Sequence, residues 1–236
     1  MRKSPQRNRQ TERCLKMKPI PAEKAGILLA ERPELLPAEK MRILAVSDVE
    51  SKRYYDYYRK GALDGFDLII ACGDLRKTYL EFLVTMASCP LVYVHGNHDD
   101  AFDSNPPEGC ICIDGKVYEQ DGVRILGLGG SYRYRNGEHM FTEAGMRRRI
   151  LKALPQILLH RGFDILVTHA PARHLNDFDT PPHRGFECFR TLMERFRPKY
   201  FIHGHIHINY GRDIPRVTVF GDTTVINACE SYIVEI

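Results

Sequence analysis

The sequence predicts an α/β protein built around a largely parallel sheet. Three observations carry that reading. From residue 41 onward, short apolar runs alternate with amphipathic stretches, the order expected of strands and crossover helices. The spacing then tightens into hairpin-like units. Finally, five of the apolar runs end in polar residues able to hold a cation, and in parallel α/β sheets binding sites gather at the carboxyl ends of strands.

The elements follow in order. Arg42–Ser47, Asp67–Cys72 and Leu91–His95 read as strands, with helix-like stretches at 52–62 and 76–88 between them. Cys110–Ile113, Lys116–Gln120 and Val123–Leu128 read as short strands set apart by Asp114-Gly115 and Asp121-Gly122, both hairpin signals. A helix is expected over about Glu143–Leu154. Strand Ile165–Thr168, helix Gly185–Phe196 and strand Tyr200–His203 come next. Three strands close the chain, Val217–Phe220, Thr224–Asn227 and Ser231–Glu235.

At 236 residues the chain is long enough for one domain with a sizeable core. Its net charge of +4 is unevenly placed. Residues 1–40 hold ten Lys and Arg against five Glu, a local +5, and the remainder carries −1. The basicity therefore belongs to the N-terminal segment. That segment has Pro5, Pro19 and Pro21 and little hydrophobic periodicity. It reads as a disordered or loosely docked extension of a domain spanning 41–236. Its Arg-rich, acid-poor character also fits a mitochondrial presequence, and Met41 is a second candidate start. No apolar run approaches the roughly 20 residues of a membrane span. Seven cysteines without a Cys-x-x-Cys pair or a secretion signal read as reduced thiols in a cytoplasmic protein.

The five strand endings are Ser47-Asp48-Val49-Glu50, Gly73-Asp74, Gly96-Asn97-His98-Asp99, Thr168-His169 and His203-Gly204-His205-Ile206-His207. Each is weak alone, since Gly-Asp is usually a turn and a lone Thr-His usually a core histidine. Together they offer three carboxylates (Asp48, Glu50, Asp74), one amide oxygen (Asn97) and three imidazoles (His169, His205, His207). That is too many donors for one tetrahedral zinc and suits two five- or six-coordinate divalent ions. A shared carboxylate would hold such a pair about 3.5–4 Å apart, with a hydroxide between the ions for in-line attack on phosphorus. His205 and His207, two apart on one strand, point both rings to the same face and can approach the same metal pair.

The series D-x-[H/E], G-D, G-N-H-D, H, G-H-x-H resembles the calcineurin-like metallophosphoesterases over 41–236. The resemblance implies a four-layer α/β/β/α sandwich and hydrolysis of phosphomonoesters, phosphodiesters or phosphoanhydrides with two divalent metals. By position in that pattern, Asp48 and His207 would hold the first metal, with Glu50 where the family has His. Asp74 would bridge, and Asn97, His169 and His205 would hold the second metal. His98 would contact the substrate phosphate and protonate the leaving oxygen, with Asp99 orienting it. Glu50 lowers the site's net charge by one unit relative to His. That predicts a preference for Mn²⁺, with Mg²⁺, Fe²⁺ or Zn²⁺ as alternatives, and a more alkaline optimum than a Glu50→His variant would show.

Two loops could read the substrate. Residues 127–140 carry Arg133, Arg135 and His139 among glycines, and 179–185 carries His183 and Arg184. Arg53-Tyr54-Tyr55-Asp56-Tyr57-Tyr58-Arg59 could stack a base, but packing of the tyrosines is the reading favoured here. The expected partner is a small phosphoester. The slightly acidic body argues against a nucleic-acid footprint, and no membrane partner is implied. Competing readings are a nuclease or nucleotide pyrophosphatase on the same centre, and a non-catalytic metal-binding scaffold.

Overall fold

A computed structural model describes residues 40–208 and 215–236. The expected N-terminal extension falls almost entirely outside them. Among the described residues, thirteen short strands build two main sheets and a small third one. Strands β1 (Arg42–Val46), β2 (Leu68–Ala71), β3 (Leu91–Tyr93), β4 (Ile111–Cys112) and β13 (Tyr232–Glu235) form the first, in the order β13-β1-β2-β3-β4. All its pairings are parallel except β1 with β13. The second holds β5 (Val117–Gln120), β6 (Val123–Leu128), β9 (Ile165–Thr168), β10 (Tyr200–His203), β11 (Val217–Phe220) and β12 (Thr223–Asn227), in the order β11-β12-β10-β9-β6-β5. Its centre is parallel and both its edges are antiparallel hairpins. Strands β7 (Ser131–Tyr132) and β8 (Met140–Phe141) form a separate parallel pair.

Side-chain alternation makes the layers. Ile43, Ala45, Leu68, Ile70 and Val92 of the first sheet meet Ile125, Ile165, Val167, Ile202 and Ile226 of the second in a common apolar layer. The opposite face of the first sheet, including Leu44, Val46, Ile69 and Leu91, packs on helix α1 (Lys77–Met86) and on Tyr54, Leu63 and Phe66. The opposite face of the second, including Leu126, Leu166 and Phe201, packs on α2 (Glu143–Leu159) and α3 (Glu187–Phe196). The order is helix, sheet, sheet, helix. Because both sheet faces are covered, the central strands are apolar throughout.

Besides Asp114-Gly115, which joins strands of different sheets and closes no hairpin, two elements differ from the sequence reading. Residues 52–62 are a run of turns, not a helix. Their backbone bonds mix spacings, with Tyr54 N and Tyr55 N both to Ser51 O and Tyr57 N to Lys52 O at 2.8 Å, and Gly61 and Gly65 have positive φ. The tyrosines decide the geometry. Tyr54 is buried against Phe66, while Tyr55 and Tyr58 meet Phe82 edge-on at 5.0 and 5.3 Å, the packing role favoured from the sequence. The second departure is α2, which runs through Pro155 to Leu159. Proline removes one backbone donor, but Ala153 and Ile157 on either side are buried on the sheet and hold the helix together. Glu143 at its start also accepts from the amides of Glu187 and Cys188, 3.1 and 2.9 Å, and so caps α3.

A buried carboxylate ties the hairpin region to α2. Asp114 accepts from the Gly129 amide at 2.8 Å, from His95 Nδ1 at 3.1 Å and from the Arg149 guanidinium. Burial alone would raise its pKa, but His95, Arg149 and the Gly129 amide outweigh burial and hold it below the usual carboxylate range. A depressed carboxyl stabilises the fold above its unfolded pKa of about 4, and that contribution is lost as pH falls below it. Asp114→Asn removes the negative charge that faces Arg149 and His95 and is expected to cost about 3–5 kcal/mol. Urea unfolding at pH 7 measures the cost, and the gap to wild type should narrow toward pH 3.

Candidate metal centre

Every candidate ligand stands just past a strand, and the strands come from both sheets. Asp48, Asp74 and Asn97 follow β1, β2 and β3, while His169 and His205 follow β9 and β10. The two sheets are joined at this rim. His169 Nδ1 donates to the Cys72 carbonyl at 2.8 Å, and the His205 amide donates to Asp48 Oδ2 at 2.8 Å. Asp48, Asp74 and His205 all sit at positive φ, 62°, 56° and 68°, a left-handed conformation that non-glycine residues adopt at a cost and that clusters at functional sites. Gly96 has no room for a side chain, since a Cβ there would overlap Asp74 Oδ1 and the Asp74 backbone nitrogen.

Asp74, His169 and His205 present ligand atoms that all lie within 4.8 Å of one another. His169 Nε2 is 3.4 Å from Asp74 Oδ2, 3.0 Å from Asn97 Oδ1 and 3.1 Å from His205 Nδ1. The outer nitrogen of each ring is committed, His169 Nδ1 to Cys72 O and His205 Nε2 to Pro182 O at 2.6 Å. Carbonyls only accept, so both outer nitrogens carry the proton. The inner nitrogens therefore turn toward Asp74, the arrangement that metal-binding histidines need. Burial pushes His205 down to about 3, aided by His169. Burial works against the charged form of His169 too, but Asp74 and Asp48 prevail and raise it to about 9. Asp74 is held low in return, because His169 and the His98 amide outweigh its burial. In the absence of a cation, the His169 proton neutralises the cluster.

Asp48 completes the picture on the other side. Its Oδ1 is buried without a hydrogen-bond partner, 4.0 Å from His207 Nε2. A buried carboxylate oxygen with no donor is costly, and a divalent ion would satisfy it. The donor set fits metal on both counts: locked imidazole tautomers around Asp74, and an orphaned oxygen between Asp48 and His207.

Several expected roles change. His205 and His207 lie beyond β10, so strand alternation does not align them; the left-handed backbone at His205 sends it to Asp74 while His207 faces Asp48. Glu50 is paired with Arg76, whose Nε donates to Oε1 at 2.5 Å and whose Nη2 donates to Oε2. Both oxygens are engaged in this ion pair, and the guanidinium offsets the extra negative charge. Asp99 does not orient His98. Its Oδ2 accepts from the amides of Gly96 and Asp74 at 2.7 and 2.9 Å and fixes the two loops to each other. His98 is exposed and meets Arg135 instead, with Nη2 3.3 Å from Nδ1.

The substrate loops divide in the same way. Arg135 reaches the centre through His98, and His183 stacks at a tilt near His205, ring centres 5.7 Å apart. Arg133 donates to the Met140 carbonyl of its own loop at 3.2 Å. His139 is buried against Asp103 and His95, where no substrate phosphate could reach it. Sequence reasoning missed Arg76 and Asp103 and read Asp114 only as a turn residue; each is defined by a partner brought close by folding.

A family model described as calcineurin-like phosphoesterase matches residues 41–209. Two Caenorhabditis elegans proteins, UPF0046 protein C25E10.12 and UPF0046 protein K07C11.7, are each 26% identical, over 80% of this chain and 75% and 70% of theirs. Among solved structures, TT1561 of Thermus thermophilus matches with a TM-score of 0.55 at 14% identity, over 81% of this chain and 90% of its own. Another crystal structure matches with a TM-score of 0.60 at 13% identity, over 83% of this chain and 95% of its own. At these identities the structural likenesses show the fold. No helix among the described residues is long and apolar enough to cross a membrane.

The close approach at Gly96 generates a test. Gly96→Ala forces Asp74 away from the position it shares with His169, an overpacking change that costs about 1–3 kcal/mol. Denaturant unfolding should show that loss, and divalent-ion titration calorimetry should show weaker binding than in wild type.

Proposed function

The chain belongs to the calcineurin-like phosphoesterase family, and on that premise we propose that it is a metal-dependent phosphoesterase acting on a small phosphoester. The observation that carries the reading is the rim itself. Two buried imidazoles have their inner nitrogens turned toward Asp74, beside an unpartnered Asp48 oxygen. The family generally binds two divalent ions. Asp48 and His207 would hold one, Asn97, His169 and His205 the other, and Asp74 would lie between them. When bound, such a pair supplies Lewis acidity to a phosphoryl oxygen and lowers the pKa of bound water. The mixed oxygen and nitrogen donors suit Mn²⁺. The charge argument for that metal is weaker than the sequence implied, because Arg76 offsets Glu50.

The chain's own residues account for the remaining steps. Arg135 donates to His98 Nδ1, which leaves the His98 proton on Nε2, the nitrogen free to face a substrate. The neutral ring donates an Nε2 hydrogen bond to the leaving oxygen; full proton transfer requires the imidazolium, formed when Nδ1 takes up a proton in place of the Arg135 contact, and returns the ring to neutral imidazole. Arg135 fixes the ring and adds positive charge where a phosphate oxygen would lie. The His98 amide donates to Asp74 Oδ1 at 2.8 Å, which keeps the acid in register with the metal-binding carboxylate. His183, beside His205, stands on the far side of the centre and is the candidate for contacts to the alcohol portion. A body charge of −1 supports a compact substrate over a polynucleotide.

The experiment is a panel of alkyl and p-nitrophenyl monoesters and diesters, with Mn²⁺, Mg²⁺ or Zn²⁺ added, on wild type and His98→Ala. An alkyl ester needs its leaving oxygen protonated and should lose about 10²–10⁴-fold in kcat. A p-nitrophenyl ester leaves readily without a proton and should lose much less. Equal losses on both would remove the acid role, and no hydrolysis by wild type with any of the three ions would remove the enzyme reading.

A further inference from the structure

We propose that His95, His139 and Asp103 form a separate site for one zinc ion, outside the Asp74–His169–His205 group, that fastens the Arg135 loop to the end of β3. The three residues lie far apart in sequence. Their ligand atoms nevertheless all fall within 4.8 Å of one another. Asp103 Oδ1 is 3.7 Å from His95 Nε2, and Asp103 Oδ2 is 3.1 Å from His139 Nε2. The two imidazoles stack with ring centres 4.3 Å apart and planes 6° from parallel.

Two further observations point to a ligand. His95 Nδ1 lies 3.1 Å from Asp114, whose carboxylate is already held by Arg149 and the Gly129 amide. Asp114 therefore accepts a hydrogen bond from Nδ1 and leaves Nε2 facing Asp103, where a bound ion would displace the Nε2 proton, the carboxylate–imidazole–metal relay that tunes zinc histidines. His139 Nε2 is buried and makes no hydrogen bond of good geometry, despite its short approach to Asp103. The histidines are 7% and 8% exposed, whereas the Asp103 side chain is 47% exposed. The site is thus walled by imidazoles and open on the carboxylate side, with room for a water as fourth ligand. Two imidazoles and one carboxylate with an open position suit zinc. An ion shared by both Nε2 atoms requires the rings to open from their parallel stack. The arrangement without an ion is a carboxylate bridging two ring N–H groups, one on each oxygen.

The consequence is positional. His95 ends the strand that leads into Asn97 and His98. Asp103 closes the 3-10 turn after Asp99, Asp100–Asp103. His139 belongs to the loop between β7 and β8 that carries Arg135, and its carbonyl accepts from the Ser131 amide at 2.9 Å. An ion here clamps the loop that brings Arg135 to His98.

The test counts zinc. Full-length protein is stripped with chelator, dialysed against Zn²⁺ and analysed for metal per chain, for wild type, Asp103→Asn, His139→Gln, His169→Ala and the Asp103→Asn/His169→Ala double variant. Asp103→Asn and His139→Gln should each bind one ion fewer than wild type, and the double variant one fewer than His169→Ala. Asp103 is exposed, so its variant should keep the wild-type circular dichroism melt measured without metal, even if His139→Gln folds poorly. Equal zinc in wild type and Asp103→Asn would overturn the proposal and leave the bridging carboxylate as the structure of the cluster. The counts do not depend on hydrolysis, so failure of the phosphoesterase reading and failure of this one are read separately.

Discussion

Two hydrogen bonds across the rim set the terms for the rest of the molecule: His169 Nδ1 to the Cys72 carbonyl and the His205 amide to Asp48 Oδ2. Each joins the end of a strand in one sheet to the end of a strand in the other. Between the sheets lies a largely apolar layer, crossed by the Tyr200 hydroxyl, which donates to the Glu235 carbonyl at 3.2 Å. Apolar packing is non-directional and tolerates sliding; these bonds do not. They explain why the expensive backbone is found here. Left-handed Asp48, Asp74 and His205 are costly singly, yet each conformation turns a side chain or an amide onto the opposite sheet. The same geometry that locks the sandwich gathers the metal donors, so fold and site are one construction at this edge.

Electrostatics at the rim are balanced in layers. Innermost, His169 carries the proton that lets Asp74 and Asp48 lie together, since its raised pKa and the depressed Asp74 describe one shared charge. Asp48 itself is pushed up by burial against the pull of His169. A divalent ion must displace that proton, which links metal affinity to pH. Further out, Arg76 takes both oxygens of Glu50. The pair is largely open to water on the arginine side, 70% exposed, so its contribution to stability is small. Its contribution to the site is to absorb the carboxylate that replaces the family's histidine. A Glu at this position without Arg76 would lower the field on a bound phosphate; with Arg76 the field is close to that of two aspartates alone.

The parts of this arrangement legible in the sequence are those with a local cause. Central strands were readable because burial on both faces makes them continuous apolar runs, and β6, β9 and β10 begin and end where the run does. The five strand endings were readable because each ligand follows its strand within a few residues. What failed had a distant cause. Residues 52–62 carry helix-like spacing, but tyrosines reaching to Phe66, Tyr79 and Phe82 impose turns. Pro155 is tolerated because buried neighbours hold α2 on its sheet. Asp99 looked like the partner of its neighbour His98, yet two amides from different loops claim its Oδ2. His139 looked exposed within a glycine-rich loop, and the loop folds it under.

That last residue shows why the catalytic and structural roles cannot be separated by motif. The loop between β7 and β8 is short of core contacts of its own, and Arg133 turns back to bond it internally. What remains to position Arg135 is the chain of groups beneath it: Arg149 to Asp114, Asp114 to His95, His95 stacked on His139, and His139 against Asp103. This chain crosses from α2 to the end of β3 and to the 3-10 turn that follows Asp99. It fixes His95, two residues before Asn97, and His139, four residues after Arg135. The loop and the metal rim are therefore supported by the same buried charges. Contacts thus run without a break from Asp114 through His95 and His139 to the loop whose Arg135 meets His98.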